Sequence, residues 1–142
     1  MKEKIHVDVV LVGEIYNNIA VLAQLRDRKT NIYPEALSVP GGAKEEGDKN
    51  NKQAGIRELS EETGVCLEEK DLIFVDEDKV VLPDGQSIKR VVYCAKYDSK
   101  RHQIHQRGEG YIIWISPGEY PDSSYIPGSD DFFVKAVDKI YN

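Results

Sequence analysis

RELSEETGV, residues 57–65, is the stretch from which the rest of this sequence is best interpreted. It places Glu58, Glu61 and Glu62 on one face of a predicted helix. Side chains three and four positions apart on a helix are neighbours, so these like charges repel one another. Glu61 and Glu62 also fall in the last turn, where the negative end of the helix dipole opposes them. A solvated acidic face is one interpretation, and a divalent cation bound through carboxylate oxygens is the other.

The helix that contains this stretch has recognisable ends. Any residue of 48–51 is suited to cap its N-terminus, and Gly64 is the residue type preferred just past a C-terminus. At about 100° per residue, Ile56, Leu59 and Thr63 fall on one side, and the three glutamates fall on roughly the opposite side. The pattern predicts a helix with one face for the core and one for a ligand.

Three further residues of this helix bear on the acidic face. Ala54 and Gly55 are small, so we expect them to leave space above it. Arg57 lies one turn before Glu61, and a pair at that spacing is expected to fix the orientation of the glutamate.

The order of predicted elements indicates the fold class. Predicted strands cover residues 5–12, 19–25, 37–39, 72–75, 79–82, 88–97 and 111–115. Helices are predicted before Gly64 and over residues 130–141, whereas 43–52 is predicted to be an irregular loop. Hairpins rather than βαβ units favour an α+β fold, with a mixed, largely antiparallel sheet and helices packed on its faces. Residues 1–142 are expected to form one domain.

Composition excludes several classes of protein. The chain has 142 residues, of which 40% are hydrophobic and 31% charged, a profile typical of soluble globular proteins. Its net charge of −6 gives no global attraction to nucleic acid, which is not expected as a partner. No apolar run is long enough for a membrane span. Cys66 and Cys94 have no metal-ligand spacing, and they are interpreted as reduced thiols of a cytoplasmic protein.

The segment 42–65, GAKEEGDKNNKQAGIRELSEETGV, resembles the Nudix box, which reads Gly, five residues, Glu, seven residues, then Arg-Glu-apolar-x-Glu-Glu-x-Gly-apolar. The chain matches its opening glycine and its whole downstream half. Two departures lie between them. Asp48 stands where the box has Glu, and eight residues rather than seven separate Asp48 from Arg57. The insertion falls in the loop before the helix, so the acidic face need not change.

The resemblance implies the Nudix fold, an α/β/α sandwich, and hydrolysis of a nucleoside diphosphate derivative with Mg²⁺ or Mn²⁺. By position in the box, the implied metal ligands are Gly42 (through its carbonyl), Glu58, Glu61 and Glu62. The residues expected to act in catalysis are Arg57, Glu58, Glu61, Glu62 and Glu109. Glu109 follows from its place in a glycine-flanked loop, where related proteins carry a glutamate that reaches the metal or acts as general base.

The substrate is the least determined feature. The expectation is a MutT-type pyrophosphohydrolase acting on a (deoxy)nucleoside triphosphate, such as an oxidised purine nucleotide. A nucleotide sugar, a dinucleoside polyphosphate or a capped RNA end is the enzymatic alternative, and a non-catalytic nucleotide-binding regulatory domain is the alternative of another class. The candidate substrate-binding residues are Arg26, Tyr33, Asp130 and Asp131. The two aspartates have a second interpretation, because Ser129 or Asp130 is suited to cap the last helix. The sequence does not determine the oligomeric state; many members of the family dimerise, and a homodimer is a possibility by that analogy alone.

Overall fold

The computed structural model describes residues 3–30, 32–106 and 110–142 of the chain. The strands are β1 (Lys4–Ile15), β2 (Asn18–Leu25), β3 (Leu37–Ser38), β4 (Gly41–Ala43), β5 (Ile73–Val81), β6 (Ser87–Lys96) and β7 (Tyr111–Ile115). The helices are α1 (Asn51–Thr63) and α2 (Ser129–Tyr141). Short 3₁₀ turns cover Glu69–Asp71 and Asp122–Ser124.

The strands form one mixed sheet in the order β3-β2-β1-β6-β5, with β4 added to β1 and β7 to β2. In the described residues, only the pairing of β1 with β6 is parallel; the other five pairings are antiparallel. The predicted mixed, largely antiparallel sheet is therefore confirmed. The central position of β1 explains why residues 7–12 are apolar except for Asp8, since both faces of the strand are covered there.

The two faces of β1 build two separate cores. Val10 and Val12 pack with Phe132 and Phe133 of α2 on one face. Val7, Val9 and Leu11 pack with Ala54 and Leu59 of α1 on the other face. Successive side chains of a strand point to opposite faces, so the run VDVVLV supplies both cores at once. The result is the predicted sandwich of one sheet between two helices.

Two strand predictions need correction. A further strand, β4, was not predicted. It lies between the predicted strand 37–39 and the predicted loop 43–52, and it pairs with β1 through Val7 opposite Gly42 and Asp8 opposite Gly41. The predicted strands 72–75 and 79–82 are one strand, β5, with an irregular register between Phe74 and Asp76. The residues between the two predicted strands, 76–78, continue β5, and half-buried and exposed side chains alternate along them.

The helix α2 begins differently from the prediction. Its N-cap is Gly128 with a φ of 87°, and no side chain caps the helix there. Ser129 is the first residue of the helix and is buried. Asp130 and Asp131 follow in the first turn, where their negative charges interact favourably with the positive end of the helix dipole. The expected cap by Ser129 or Asp130 was therefore wrong. The residue before α2 adopts a left-handed conformation, which glycine takes up without strain.

Two expectations from composition can be compared with the structure. Cys66 is exposed and Cys94 is buried, and both are free thiols. None of the helices in the described parts of the chain is long and apolar enough to cross a membrane.

Candidate functional site

The ends of α1 fix the position of the acidic residues. Asn50 is the N-cap, and its side-chain oxygen accepts a hydrogen bond from the Gln53 amide at 2.8 Å. Gly64 ends the helix in the left-handed conformation with a φ of 79°. Both ends lie where the sequence predicted them. The side chain of Asn50 also donates to Glu69 at 3.1 Å, which joins the start of α1 to the 3₁₀ turn that follows the helix.

The inner face of α1 lies very close to β1. Leu59 and Thr63 are fully buried there, as predicted. A Cβ atom on Gly55 would lie 3.0 Å from both Val7 and Val9, so the missing side chain allows this approach. Gly55 therefore faces the sheet, and the expectation that it leaves space above the acidic face was wrong.

The three glutamates do not share one environment. Glu58 and Glu62 turn inward toward β4, whereas the side chain of Glu61 is 59% exposed. A Cβ atom on Gly42 would lie 2.6–2.7 Å from the Glu58 carboxyl group, and the Gly41 amide donates a hydrogen bond to Glu62. At about 100° per residue, Glu62 is only about 60° from Leu59 around the helix. Glu58 and Glu62 thus border the core face, and only Glu61 opposes it.

Arg57 connects the upstream and downstream halves of the motif. Its Nε and Nη2 atoms donate to the two carboxylate oxygens of Asp48, both at 2.9 Å. Its Nη1 atom donates to Glu58 at 3.1 Å and to Glu61 at 3.3 Å, and Nη2 also reaches the Ala43 carbonyl at 3.0 Å. The predicted pair with Glu61 is present. The two parallel hydrogen bonds to Asp48 are a bidentate contact, which fixes the orientation of the guanidinium as well as contributing energy.

The same contact accounts for the departures in the upstream half of the motif. Hydrogen bonds from Arg57, followed by one from the Glu45 amide, lower the pKa of Asp48 to about 2. Asp48 is therefore ionised at neutral pH and aligned with the guanidinium. Although it is shorter than Glu and one residue further from Arg57 in sequence, the loop brings it into direct contact.

The two inward carboxyl groups are only partly compensated by the hydrogen bonds that they accept from Arg57 and Gly41. Burial, followed by the charge of Glu58, raises the pKa of Glu62 to about 8. Burial likewise raises the pKa of Glu58. The Oε2 atom of Glu62 is buried, and no described residue is a hydrogen-bond partner for it. Buried charges are normally paired or coordinate metals, so an oxygen-binding divalent cation fits this donor set.

The remaining predicted metal and catalytic residues are placed as follows. In the described residues, no group of three or more His, Cys, Asp or Glu side chains is arranged to hold a metal ion. The two inward glutamates and the backbone of β4 are therefore the donors that lie together, with Glu61 beside them. Glu109 lies outside the described residues. The loop before it contacts α1, because the His105 amide donates to the Thr63 carbonyl at 2.7 Å.

A cavity of about 280 Å³ lies on the other side of β4 from the glutamates. Its apolar walls include Val39, Val80, Leu82, Ile88 and Ile126. Its polar lining includes His6, Asp8, Gln24, Arg26, Ser38 and Arg90. Gly41 and Gly42 line it as well. A mostly apolar concavity with a few placed polar groups is typical of a small-molecule site.

Arg90 fixes one end of the cavity. Its guanidinium donates to both carboxylate oxygens of Asp78, at 2.8 and 2.6 Å, and to the Pro127 carbonyl at 2.6 Å. It also lies 5.0 Å from the centre of the Phe132 ring. These contacts join β5, β6 and the segment before α2, so the cavity wall is held by a structural ion pair.

Asp8 is a buried cavity residue that the sequence analysis did not single out. Its side chain lines the cavity, yet Asp8 is only 9% exposed, and burial raises the pKa of its carboxyl group well above the usual value. None of the described residues makes a hydrogen bond with that carboxyl group. One signal was available in the sequence, since an aspartate interrupts the apolar strand between Val7 and Val9.

The four candidate substrate-binding residues separate into two groups. Arg26 and Tyr33 line the cavity, and Arg26 also lines the adjoining groove that includes Glu62. Asp130 lines a different and more open groove. Asp131 forms an ion pair with Lys135 at 2.9 Å. The paired aspartates are thus not brought to the cavity, which Ser129 lines instead.

Comparisons with known proteins agree on one family. A family model described as NUDIX domain matches residues 3–134. No curated protein matches the chain.

Solved structures share the fold at low identity. The NUDIX domain of Shewanella oneidensis NrtR complexed with ADP ribose has a TM-score of 0.79 and 19% identity, over 99% of this chain and 90% of that one. A MutT protein from Methanosarcina mazei Go1 has a TM-score of 0.75 and 16% identity, over 100% and 99% of the two chains. A MutT/nudix family protein from Enterococcus faecalis has a TM-score of 0.71 and 17% identity over 99% of this chain, which spans only 62% of that protein.

Proposed function

The chain belongs to the Nudix hydrolase family, and from that membership we propose that it cleaves a phosphoanhydride bond of a (deoxy)nucleoside triphosphate with Mg²⁺ or Mn²⁺. The observation that carries the proposal is the buried Oε2 atom of Glu62, which has no partner among the described residues and lies beside Glu58 and the Gly41–Gly42 backbone. A dense cluster of carboxylates repels a polyphosphate unless a cation lies between them. The same groups therefore serve as a metal site and, through the metal, as a phosphate site.

The proposed roles of the side chains follow from their contacts. Glu58 and Glu62, with Glu61 and a β4 carbonyl at Gly42, would hold the metal. When bound, the metal neutralises phosphate oxygens and lowers the pKa of a bound water. Arg57 holds Glu58 and Glu61 in orientation through its own anchor on Asp48. The role proposed for Glu109 is to accept the proton of the attacking water.

The nucleoside is proposed to occupy the cavity behind β4. Arg26 lies where the cavity adjoins the groove beside Glu62, which is the path that a polyphosphate must follow from a bound base to the metal. Tyr33 lines the same cavity and offers a ring against a flat base. An oxidised purine remains within this proposal, although Asp130 and Asp131 lie away from the cavity.

A second candidate is a nucleotide linked to a sugar. It is favoured by the similarity of fold to the NUDIX domain of Shewanella oneidensis NrtR, which was solved with ADP ribose. A second groove, lined by Glu35, Asp122 and Asp130, opens next to Tyr33 and offers room for a further group. A non-catalytic binding domain is the third candidate, but such a domain has no need of the full set of Arg57 contacts.

Chromatographic separation of the nucleotide products tests these candidates directly, because hydrolysis of ADP ribose, diadenosine tetraphosphate or a capped RNA releases no free phosphate or pyrophosphate. The panel contains dGTP, 8-oxo-dGTP, ATP, ADP ribose, diadenosine tetraphosphate and a capped RNA, each with Mg²⁺ and with chelator. We expect turnover of a nucleoside triphosphate that requires the metal. Glu62→Gln should reduce it by about 100-fold or more, since even outer-shell changes at metal sites cost about 10- to 100-fold.

Glu68→Gln is the matched control, because Glu68 is an exposed glutamate outside the proposed site, where it forms an ion pair with Lys70 and caps a 3₁₀ turn. It should retain full turnover. Absence of turnover on every substrate would refute the enzymatic proposal. Undiminished turnover in Glu62→Gln would refute the assignment of the metal site. The homodimer and the cytoplasmic location stay predictions.

A further inference from the structure

Asp8 has no role in the site described so far, and the fold gives no reason for it. It lies in the central strand, on the same face as Val10 and Val12, where the other side chains form the α2 core. No described residue is a hydrogen-bond partner for its carboxyl group, which therefore meets only what occupies the cavity.

The geometry shows that the carboxyl group is directed at the cavity. It lines that cavity although the residue is only 9% exposed. A Cβ atom on Gly41 would overlap its Oδ1 atom, so the glycine opposite leaves the space that the carboxyl group fills. Arg90 also lines the cavity, but its hydrogen bonds go to Asp78 and Pro127. The acceptor capacity of Asp8 is therefore available to whatever enters.

We propose that Asp8 is a base-specificity residue, which accepts a hydrogen bond from the exocyclic amino group of the bound nucleobase. The inference rests on the proposed nucleotide substrate and on the placement of its base in the cavity. A carboxyl group has an acceptor oxygen whether or not it carries a proton, so the contact does not depend on its ionisation. The site favours adenine, guanine or cytosine over hypoxanthine and uracil.

A base without the amino group would leave the acceptor oxygen of Asp8 without a donor in the complex. Sites that hydrogen-bond a substrate group reject analogues that lack it, because the polar partner then stays unsatisfied. We expect discrimination of about 10- to 100-fold. The remaining lining, which includes Val39, Leu82 and Ile88, contacts a base of either kind equally well.

Pairs of nucleotides that differ in the amino group provide the test. GTP and ITP differ only in the 2-amino group, and ATP and ITP differ at position 6. In the parent protein, kcat/KM should be about 10- to 100-fold higher for GTP or for ATP than for ITP. Asp8→Val should bring that ratio close to one through a loss on the amino-bearing substrate. Asp8→Asn keeps an acceptor oxygen and should retain most of the preference.

Ser38→Ala is the control for a polar residue of the same cavity. Its hydroxyl already donates to the Gln24 carbonyl at 3.5 Å, so its removal should leave the ratio between bases unchanged. Turnover with the same base ratio in Asp8→Val and in the parent would overturn the role of Asp8, while the proposed hydrolysis would stand.

A binding measurement keeps the two proposals separate. Calorimetry of GMP, AMP, IMP, CMP and UMP with metal-free parent protein requires no turnover. At least one amino-bearing monophosphate should bind about 10-fold or more tightly than its amino-free counterpart. Equal affinities within every pair overturn the inference even if Asp8→Val fails to fold. Absence of turnover with a clear amino preference would instead refute only the hydrolase proposal.

Discussion

Burial and the nearby charge of Glu58 raise the pKa of Glu62 to about 8, and this makes metal binding depend on pH. Below pH 8 the metal-free protein holds a proton on Glu62, and a cation must displace it. Affinity for Mg²⁺ should therefore rise as the pH increases from 6 to 8, by at most about tenfold per unit, and then level off. Calorimetric titration with Mg²⁺ at pH 6, 7, 8 and 9 measures this rise.

The stability of the metal-free protein should change in the opposite direction to the Mg²⁺ affinity as the pH rises. A carboxyl group whose pKa is raised from 4.5 to about 8 stabilises the metal-free fold below pH 4.5, and that contribution is lost as the pH rises through 8. Glu62→Gln should bind Mg²⁺ weakly and show neither trend. A Mg²⁺ affinity that does not change between pH 6 and pH 8 would contradict the assignment.

Single residues also show what sequence reasoning can find. Arg57 was paired correctly with Glu61, because a spacing of four on a helix determines proximity. Its stronger contact with Asp48 was not predicted, since it depends on the path of an irregular loop. Asp8 was missed for a different reason. Periodicity assigns a residue to a face of a strand, but it does not report whether that face meets a core or a cavity.

At the scale of elements, the packing of β4 against α1 yields a sharp prediction. A Cβ atom on Gly42 would collide with the Glu58 carboxyl group at 2.6–2.7 Å. Gly42→Ala should displace that flexible carboxylate while the strand keeps its pairing. We expect a loss of turnover of about 10- to 100-fold with a small change in melting temperature. Steady-state kinetics and thermal denaturation measure both quantities.

Gly47→Ala is the matched control for this variant. No atom lies within 4 Å of the position that a Cβ on Gly47 would take, so the same substitution there should be silent in kinetics. If Gly42→Ala were as active as Gly47→Ala, the inward position of Glu58 would have no part in catalysis.

Secondary-structure elements were predicted correctly where they are long or have a clear residue pattern. The caps of α1 follow from the local chemistry of Asn50 and Gly64, and they were predicted. The strand β4 has three residues, GGA, without side-chain alternation, so only its partner β1 defines it. The inner face of α1 was assigned from apolar side chains alone. Gly55 lies on that face because it has no side chain. A hydrophobic pattern identifies only positions with apolar side chains, so it does not predict the placement of this glycine.

For the molecule as a whole, the two cores predict that folding and metal binding are separable. One cluster packs beneath α2 and the other beneath α1, and neither includes a metal ligand. Treatment with EDTA should abolish hydrolysis but leave the far-ultraviolet circular dichroism and a cooperative thermal transition intact. Mg²⁺ at about 100 times its Kd should add about 2.7 kcal/mol to the free energy of unfolding.

The measurement is a pair of thermal denaturation curves, one with EDTA and one with Mg²⁺, alongside turnover in each buffer. A chain that is unfolded in EDTA at room temperature would show that the acidic helix needs its cation to form. Restored turnover on return of Mg²⁺ to the EDTA-treated protein is the internal control.

The strand β4 separates two sites that share it. Gly41 leaves room for Asp8 on the side of the cavity, and its amide donates to Glu62 on the other side. A mutation here alters both sites together, so a lineage acquiring a new substrate would pass through inactive forms if it changed this strand. In the β5–β6 hairpin, Val80, Leu82 and Gln86 line the cavity but not the groove that includes Glu62. Divergence of specificity among descendants of this protein should therefore accumulate in that hairpin, and directed evolution should begin there.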